Sequence, residues 1–400
     1  MSERPKSTAT ATAQKRPFFL SFSAHLSPGQ WFFCGLSIFC LALILQSSAT
    51  AISYMGQGLT LCASTVIPSL FPFMVLSELL VTSGGGEVLG KLCEKPVRKL
   101  FGISGASVCA LMMGLVCGFP VGTKTAVSLC RRGLISPKEL ERLICFCNIP
   151  SSAFLINAVG VSLFGSRRFG LLLYAVCLLA AILTALLLRW ISPPPATEEC
   201  SAPPVLLSGV NVFTHSVTAA ATAMLHVCAY VVFFSALVGT LGHLLHTWGA
   251  DRTATALLFG LFELSGGVMQ ASAIPDRTMA MLLAAILCGW SGISVHLQIL
   301  SLCDDLPDGT RISARPYVLC KLLQSVLCAL LFGIVAHLAP EDWLAPLQSV
   351  GTFAPSDFFF DKIIPILNVL FGLCLFLAIL AWIRQKNRSR RHASPTSRIS

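Results

Sequence analysis

Cys117-Gly118-Phe119-Pro120-Val121-Gly122-Thr123-Lys124 closes an apolar run, Ile103 to Val116, that is long enough to enter a bilayer. Two glycines and a proline then break the helix at membrane depth. Lipid cannot satisfy the N–H and C=O groups so freed, and irregular backbone survives there only where it is buried in protein or lines a polar cavity. The second half of the chain carries a similar device, Leu287-Cys288-Gly289-Trp290-Ser291-Gly292, at the end of another apolar run. Paired interruptions in the two halves of a membrane chain point to the binding site of a transporter.

Basic residues flank the first break on both sides. Lys91, Lys95, Arg98 and Lys99 precede it in what reads as a loop opened by Ser83-Gly84-Gly85-Gly86, and Lys124, Arg131, Arg132, Lys138 and Arg142 follow. Both groups favour the cytosol. One crossing cannot serve both, so the segment is expected to be a re-entrant hairpin with Gly118 to Gly122 at its tip or return. Ser136-Pro137-Lys138-Glu139 then reads as an N-cap, a proline at the first helical position and an acidic first turn. That helix is expected to run to Cys147 and stop at Asn148-Ile149-Pro150.

Further out, apolar runs of spanning length recur. They are Trp31 to Leu45, Leu59 to Val81 with Pro68, Pro72 and Glu78, Phe169 to Trp190, a stretch within Val212 to Leu245, and Thr253 to Ala273 broken at Glu263 to Gly267. Thr278 to Leu300 broken at Gly289 to Gly292, Pro316 to Leu338 and Ile363 to Ile383 complete the set. Ser48-Ala49-Thr50-Ala51 resembles a signal cleavage site, but the long polar region before it favours a retained first span. The order of parts suggests an internal repeat. Glu78 stands before Ser83-Gly84-Gly85 and Glu263 before Ser265-Gly266-Gly267, each followed by an apolar run and a Cys-Gly-aromatic break.

Composition agrees with a membrane domain. Hydrophobic residues make up 55% and charged residues 12% of 400 residues, against roughly a quarter charged in soluble domains; mean hydropathy is +0.77. The expected organisation is a disordered polar tail (1–30), a first transmembrane half (31–191), a Pro-rich linker (192–210), a second half (211–383) and a basic tail (384–400). Much of the net charge of +10 sits in the tails and short loops, which fits cytosolic termini and a weak attraction to lipid headgroups. No basic stripe with interleaved aromatics suggests nucleic acid. Most of the 17 cysteines lie in apolar runs, as packing residues do. No CxxC pair suggests zinc, and no cofactor is implied.

Gly118 to Thr125 nearly spells a phosphate-binding loop, but Thr123 replaces the required glycine and no strand precedes it. Lys124 reads either as a topology-setting charge or as a cation beside freed N–H groups, an arrangement suited to a carboxylate. Glu78 and Glu263 are costly carboxylates in apolar surroundings or caps near span ends. His296 and Gln298 follow the second break, where a polar contact between helices is the plainer role. Asp304, Asp305 and Asp308-Gly309 lack the ligand pattern of a calcium loop. No motif supports a hydrolase, so an enzyme is not expected.

Gly118 to Lys124, Glu141-Arg142-Leu143 with Phe146-Cys147-Asn148, Ala158 to Val161 and Gly292 to Gln298 resemble the YlbJ family of sporulation integral membrane proteins. That family is also called stage V sporulation protein V and belongs with the nucleoside-recognition gate domains. The likeness spans roughly residues 30 to 385. It implies passage of dipicolinic acid across the outer forespore membrane; Lys124 beside broken-helix N–H groups, with Phe119 or Trp290 available for ring stacking, suits such a rigid aromatic dianion. Cys117 stands where a serine is expected in the family, and Asn148-Ile149-Pro150-Ser151 departs from its Asn-rich turn.

The expected fold is therefore all-α: a polytopic transporter-like protein with two repeats and broken or re-entrant helices. Its candidate substrate-binding residues are Gly118, Phe119, Pro120, Gly122, Lys124, Asn148, Glu263, Trp290, Ser291, Gly292, Ser294 and His296. Its expected partners are a small anionic solute, dipicolinate, and membrane lipid, with homo-oligomer formation left open. A nucleoside or other solute carrier, and an assembly or signalling protein of the forespore envelope, remain alternatives.

Overall fold

The computed structural model describes residues 27–192, 210–249, 251–304, 306 and 311–338. The expected tail up to residue 26, the linker residues 193–209, residues 339–362, the span at 363–383 and the basic tail lie outside the described residues. Every regular element among the described residues is helical.

Helix α1 (Pro28–Gln46) forms a unit of its own within residues 1–48. Ser27 and Gln30 close a capping box: the Gln30 N–H donates to Ser27 Oγ at 3.4 Å and the Ser27 N–H to Gln30 Oε1 at 2.7 Å. With Pro28 in the first turn, this fixes where the helix starts.

In the second unit, α2 (Ser48–Leu61) passes through a π-turn at Cys62–Val66 into α3 (Ile67–Thr82), which retains Pro72 in its interior. The supposed loop after it is a helix, α4 (Gly85–Phe101), bracketed by Gly84 and Gly102 in the left-handed region. Val97 and Phe101 lean on the core while Lys95, Arg98 and Lys99 are exposed. The glycine run had suggested a loop, but the charges and apolar residues fall on opposite helical faces, which is the signature of an interfacial helix. The chain then bends by 92° into α5 (Val108–Val116).

Helix α5 and α6 (Val121–Arg131) fold back on each other, as expected of a re-entrant hairpin. Their arms meet at glycines: a Cβ on Gly122 would lie 2.5 Å from Gly114 Cα, and one on Gly114 would strike the Cys147 carbonyl. Small residues permit such close backbone approach, the means by which helices associate in lipid. In α7 (Pro137–Ile144) Ser136 accepts the Glu139 N–H at 3.2 Å. The helix ends at Ile144, short of the expected Cys147, and a π-helical segment (Phe154–Leu163) follows the break and packs on α8 (Arg167–Ile191).

Beyond the linker come α9 (Val210–Thr247), α10 (Arg252–Phe262), α11 (Leu264–Ser272), α12 (Arg277–Trp290), α13 (Ile293–Cys303) and α14 (Ala314–Leu338). Asp251 caps α10, and the N–H groups of Ala254 and Thr253 hold its carboxyl below the usual range. The run Thr253 to Ala273 does not cross. Its arms have 11 and 9 residues, about 17 and 14 Å at 1.5 Å per residue, against a hydrocarbon core of about 30 Å. They fold into a second hairpin, with a Cβ on Gly267 only 2.1 Å from Gly260 Cα. By contrast α12 and α13 together pass as one span of 27 residues, interrupted at Ser291-Gly292. Five helices among the described residues are long and apolar enough to cross a membrane.

Candidate functional site

Each hairpin tip rests on the break of a neighbouring helix. At the first, the Phe119 N–H donates to Ile149 O at 2.9 Å, and a Cβ on Gly118 would lie 2.4 Å from Ser151 N. Gly118 has φ +80 and the Phe119–Pro120 bond is cis. At the second, Gly292 packs its backbone on the other tip, where an added Cβ would meet Leu264 N at 3.1 Å and Phe262 O at 3.2 Å. Ser291 (φ +76) and Gly292 (φ +86) make the turn. The Trp290 Nε1–H closes it by donating to Leu261 O at 3.0 Å.

Between the tips lies a cavity of about 480 Å³. Phe119, Pro120, Pro150 and Ser151 line it from the first tip and break. Glu263, Leu264 and Ser265 line it from the second tip, and Ser294 and Gln298 from α13. Asn157, Ser162 and Ser64 complete its polar wall. The Gln298 Nε2 group donates to Ser294 Oγ at 3.3 Å. Among the described residues, the wall contains one carboxylate, Glu263, and no lysine or arginine.

Of the residues singled out in the sequence, Phe119, Pro120, Glu263 and Ser294 line this cavity. Gly118, Gly122, Ser291 and Gly292 shape the backbone behind it. Glu263 also caps α11, accepting the Ser265 N–H at 2.9 Å and the Gly266 N–H at 2.6 Å. The tip N–H groups are thus occupied from within the chain. Lys124 does not reach the cavity. Its Nζ lies 2.7 Å from Glu78 Oε2, both side chains being buried, and Ser128 Oγ donates to Glu78 Oε1 at 2.9 Å. The carboxylate that Lys124 pairs with is an internal one on α3.

Asn148, Trp290 and His296 form a layer behind the lining. Thr123 Oγ1 donates to Asn148 Oδ1 at 2.9 Å, and Asn148 Nδ2 donates to Ile144 O at 2.9 Å. His296 Nδ1 lies 3.0 Å from the Tyr317 hydroxyl, and its ring meets Trp290 edge-on with centroids 4.4 Å apart. Sequence reasoning read α14 as a span, from Pro316 to Leu338, but singled out none of its polar residues. Lys321 Nζ donates to Asn148 O at 2.6 Å and to Gln324 Oε1 at 3.0 Å, and Gln324 Nε2 donates to Cys145 O at 2.9 Å. These contacts satisfy carbonyls left open where α7 stops. The signal was available: one charge inside an apolar run of spanning length.

Residues 63–167 match the family model Gate, described as nucleoside recognition, a region that holds the first hairpin and the break it rests on. The chain is 25% identical over 350 residues to the sporulation integral membrane protein YlbJ of Bacillus subtilis (strain 168), covering 78% of this chain and 84% of that protein. No solved structure matches the chain. By both matches, the chain is similar to the YlbJ sporulation membrane protein over most of its length and carries a Gate region across its first hairpin.

Proposed function

We propose that this integral membrane protein carries a small polar solute across a membrane of the sporulating cell. The observation that supports this is the cavity lined by both hairpin tips, the first break and the helix that follows the second. Such sites form where broken helices meet near the midplane, and alternating access arises when one group of helices rocks against the other. In this reading each hairpin, with its broken helix and following span, is one of two repeated halves. The matching partners are then the Gly118 and Glu263 tips, not the Gly118 and Gly289 breaks. Both termini lie in the cytosol.

The resemblance to YlbJ supports dipicolinate as the solute and the outer forespore membrane as the place, with Phe119 offering a ring face. The cavity wall favours a second reading. Serines, Asn157 and Gln298 without a cation suit an uncharged ring with hydrogen-bonding edges, which accords with the Gate description. No motif supports an enzyme.

Dipicolinate measured in mother-cell and forespore fractions of a strain lacking the protein tests the first reading. Accumulation in the mother cell with a depleted forespore is expected, and restoration by the intact gene. Normal forespore dipicolinate would remove that solute. Uptake of labelled uridine into proteoliposomes, with dipicolinate as competitor, then decides the second.

A further inference from the structure

Helix α14 presents a polar stripe to the inside of the protein. Tyr317, Lys321, Gln324, Ser325 and Cys328 fall four, three, one and three residues apart, one face of a helix. All are buried, Tyr317, Lys321 and Cys328 completely. The stripe touches both breaks. Lys321 and Gln324 hold the carbonyls of Asn148 and Cys145 beside the first. Tyr317 meets His296, four residues past Gly292, and Ser325 Oγ donates to Ile286 O at 2.9 Å on the helix that leads to the second.

Lys321 stands out chemically. Its acceptors are a carbonyl and a neutral amide, and among the described residues no carboxylate pairs with it. The titratable groups facing it are the thiols of Cys147, Cys177 and Cys288 from the packed elements, Cys328 on its own helix, and His296. His296 is itself buried, and its Nε2 has no hydrogen-bond partner. An ammonium held in this way at membrane depth is costly and marks function. Unlike Arg, a lysine can discard the charge.

We propose that Lys321 is the proton-binding site through which solute movement is coupled to a proton gradient. This rests on the carrier reading. In the protonated state the ammonium clamps Asn148 O, one residue from the Ile149 carbonyl on which the first hairpin tip is seated. Loss of the proton to water on one face leaves an amine lone pair and a weaker clamp, so the tip can lift. Uptake of a proton from water on the other face restores the clamp. His296, with a vacant ring nitrogen nearby, lies on the proton's route.

Two measurements test this on the full-length protein. Hydrogen exchange in nanodiscs at tip and break, residues 117–122 and 145–152, needs no solute. At low pH wild type and Lys321→Arg should coincide, and at high pH wild type should exchange several-fold faster while the Arg protein stays protected. Lys321→Gln, if the Arg protein fails to assemble, should match wild type at high pH and exceed it at low pH. Coincidence with wild type at every pH, in either variant, overturns the proposal. In proteoliposomes with the membrane potential held at zero, a gradient of one pH unit coupled to one proton should concentrate dipicolinate about ten-fold. The Arg protein should only equilibrate it. Gradient-driven accumulation by Lys321→Arg overturns the coupling role. No dipicolinate entry into wild-type vesicles under any gradient removes that solute and leaves the exchange result to decide Lys321.

Discussion

Lys124 carries a lesson about charge in an apolar setting. Its place next to a broken helix suggested a hand offered to an anionic solute, whereas the fold gives it Glu78, 46 positions away in sequence. Spacing along a chain cannot reveal such a partner, because the two helices meet only through tertiary packing. The consequence is measurable. Lys124→Ala should lower stability in detergent by about 3–5 kcal/mol, since it leaves a buried carboxylate unpaired. Lys124→Met combined with Glu78→Gln should recover most of the thermal midpoint, and solute movement with it. Failure of the double variant to move solute despite a restored midpoint would return Lys124 to the binding machinery. Other residues were legible in the sequence. Ser136 caps α7 as its motif foretold, because a cap is settled by its own three neighbours. Glu263 is the cap that one reading expected, and it also lines the cavity.

At the scale of elements, what was legible was that helices break, and where. Gly118 to Pro120 and Ser291-Gly292 break as expected. What each break becomes was less visible. The echo between Cys117-Gly118-Phe119 and Cys288-Gly289-Trp290 joined a hairpin tip to an interruption within one span, because local composition is alike while the path of the next helix is set by packing. The second hairpin escaped for the same reason: Thr253 to Ala273 has the length of a span, and the packing of its two arms, closest at Gly260 and Gly267, shows that it turns back. Gly267→Val should force these arms apart, since its Cβ would sit 2.1 Å from Gly260 Cα. A lowered thermal midpoint and lost solute movement are expected. An unaltered melt would mean that the arms do not touch.

For the whole molecule, composition alone announced a polytopic all-helical protein, since 55% hydrophobic residues leave little else to build. Of the cavity wall, Phe119, Pro120, Glu263 and Ser294 were among the residues singled out in the sequence; the rest was not legible, because the wall is assembled from α3, two hairpin tips, the π-helical segment, α9 and α13. Asn157→Phe should narrow it from the π-helical side. Uptake should fall while the thermal midpoint holds, and full uptake by this variant would place the solute elsewhere. One further consequence follows from the 92° bend between α4 and the hairpin arm. With the arm standing upright in the bilayer, α4 lies flat at its surface, Lys95 and Lys99 turned outward like the brim of a hat. The brim cannot sink, so the tip hangs at a set depth below it. A thinner or thicker bilayer would then be felt at the cavity itself, and the composition of the surrounding lipid becomes a dial on how readily the tip leaves its seat.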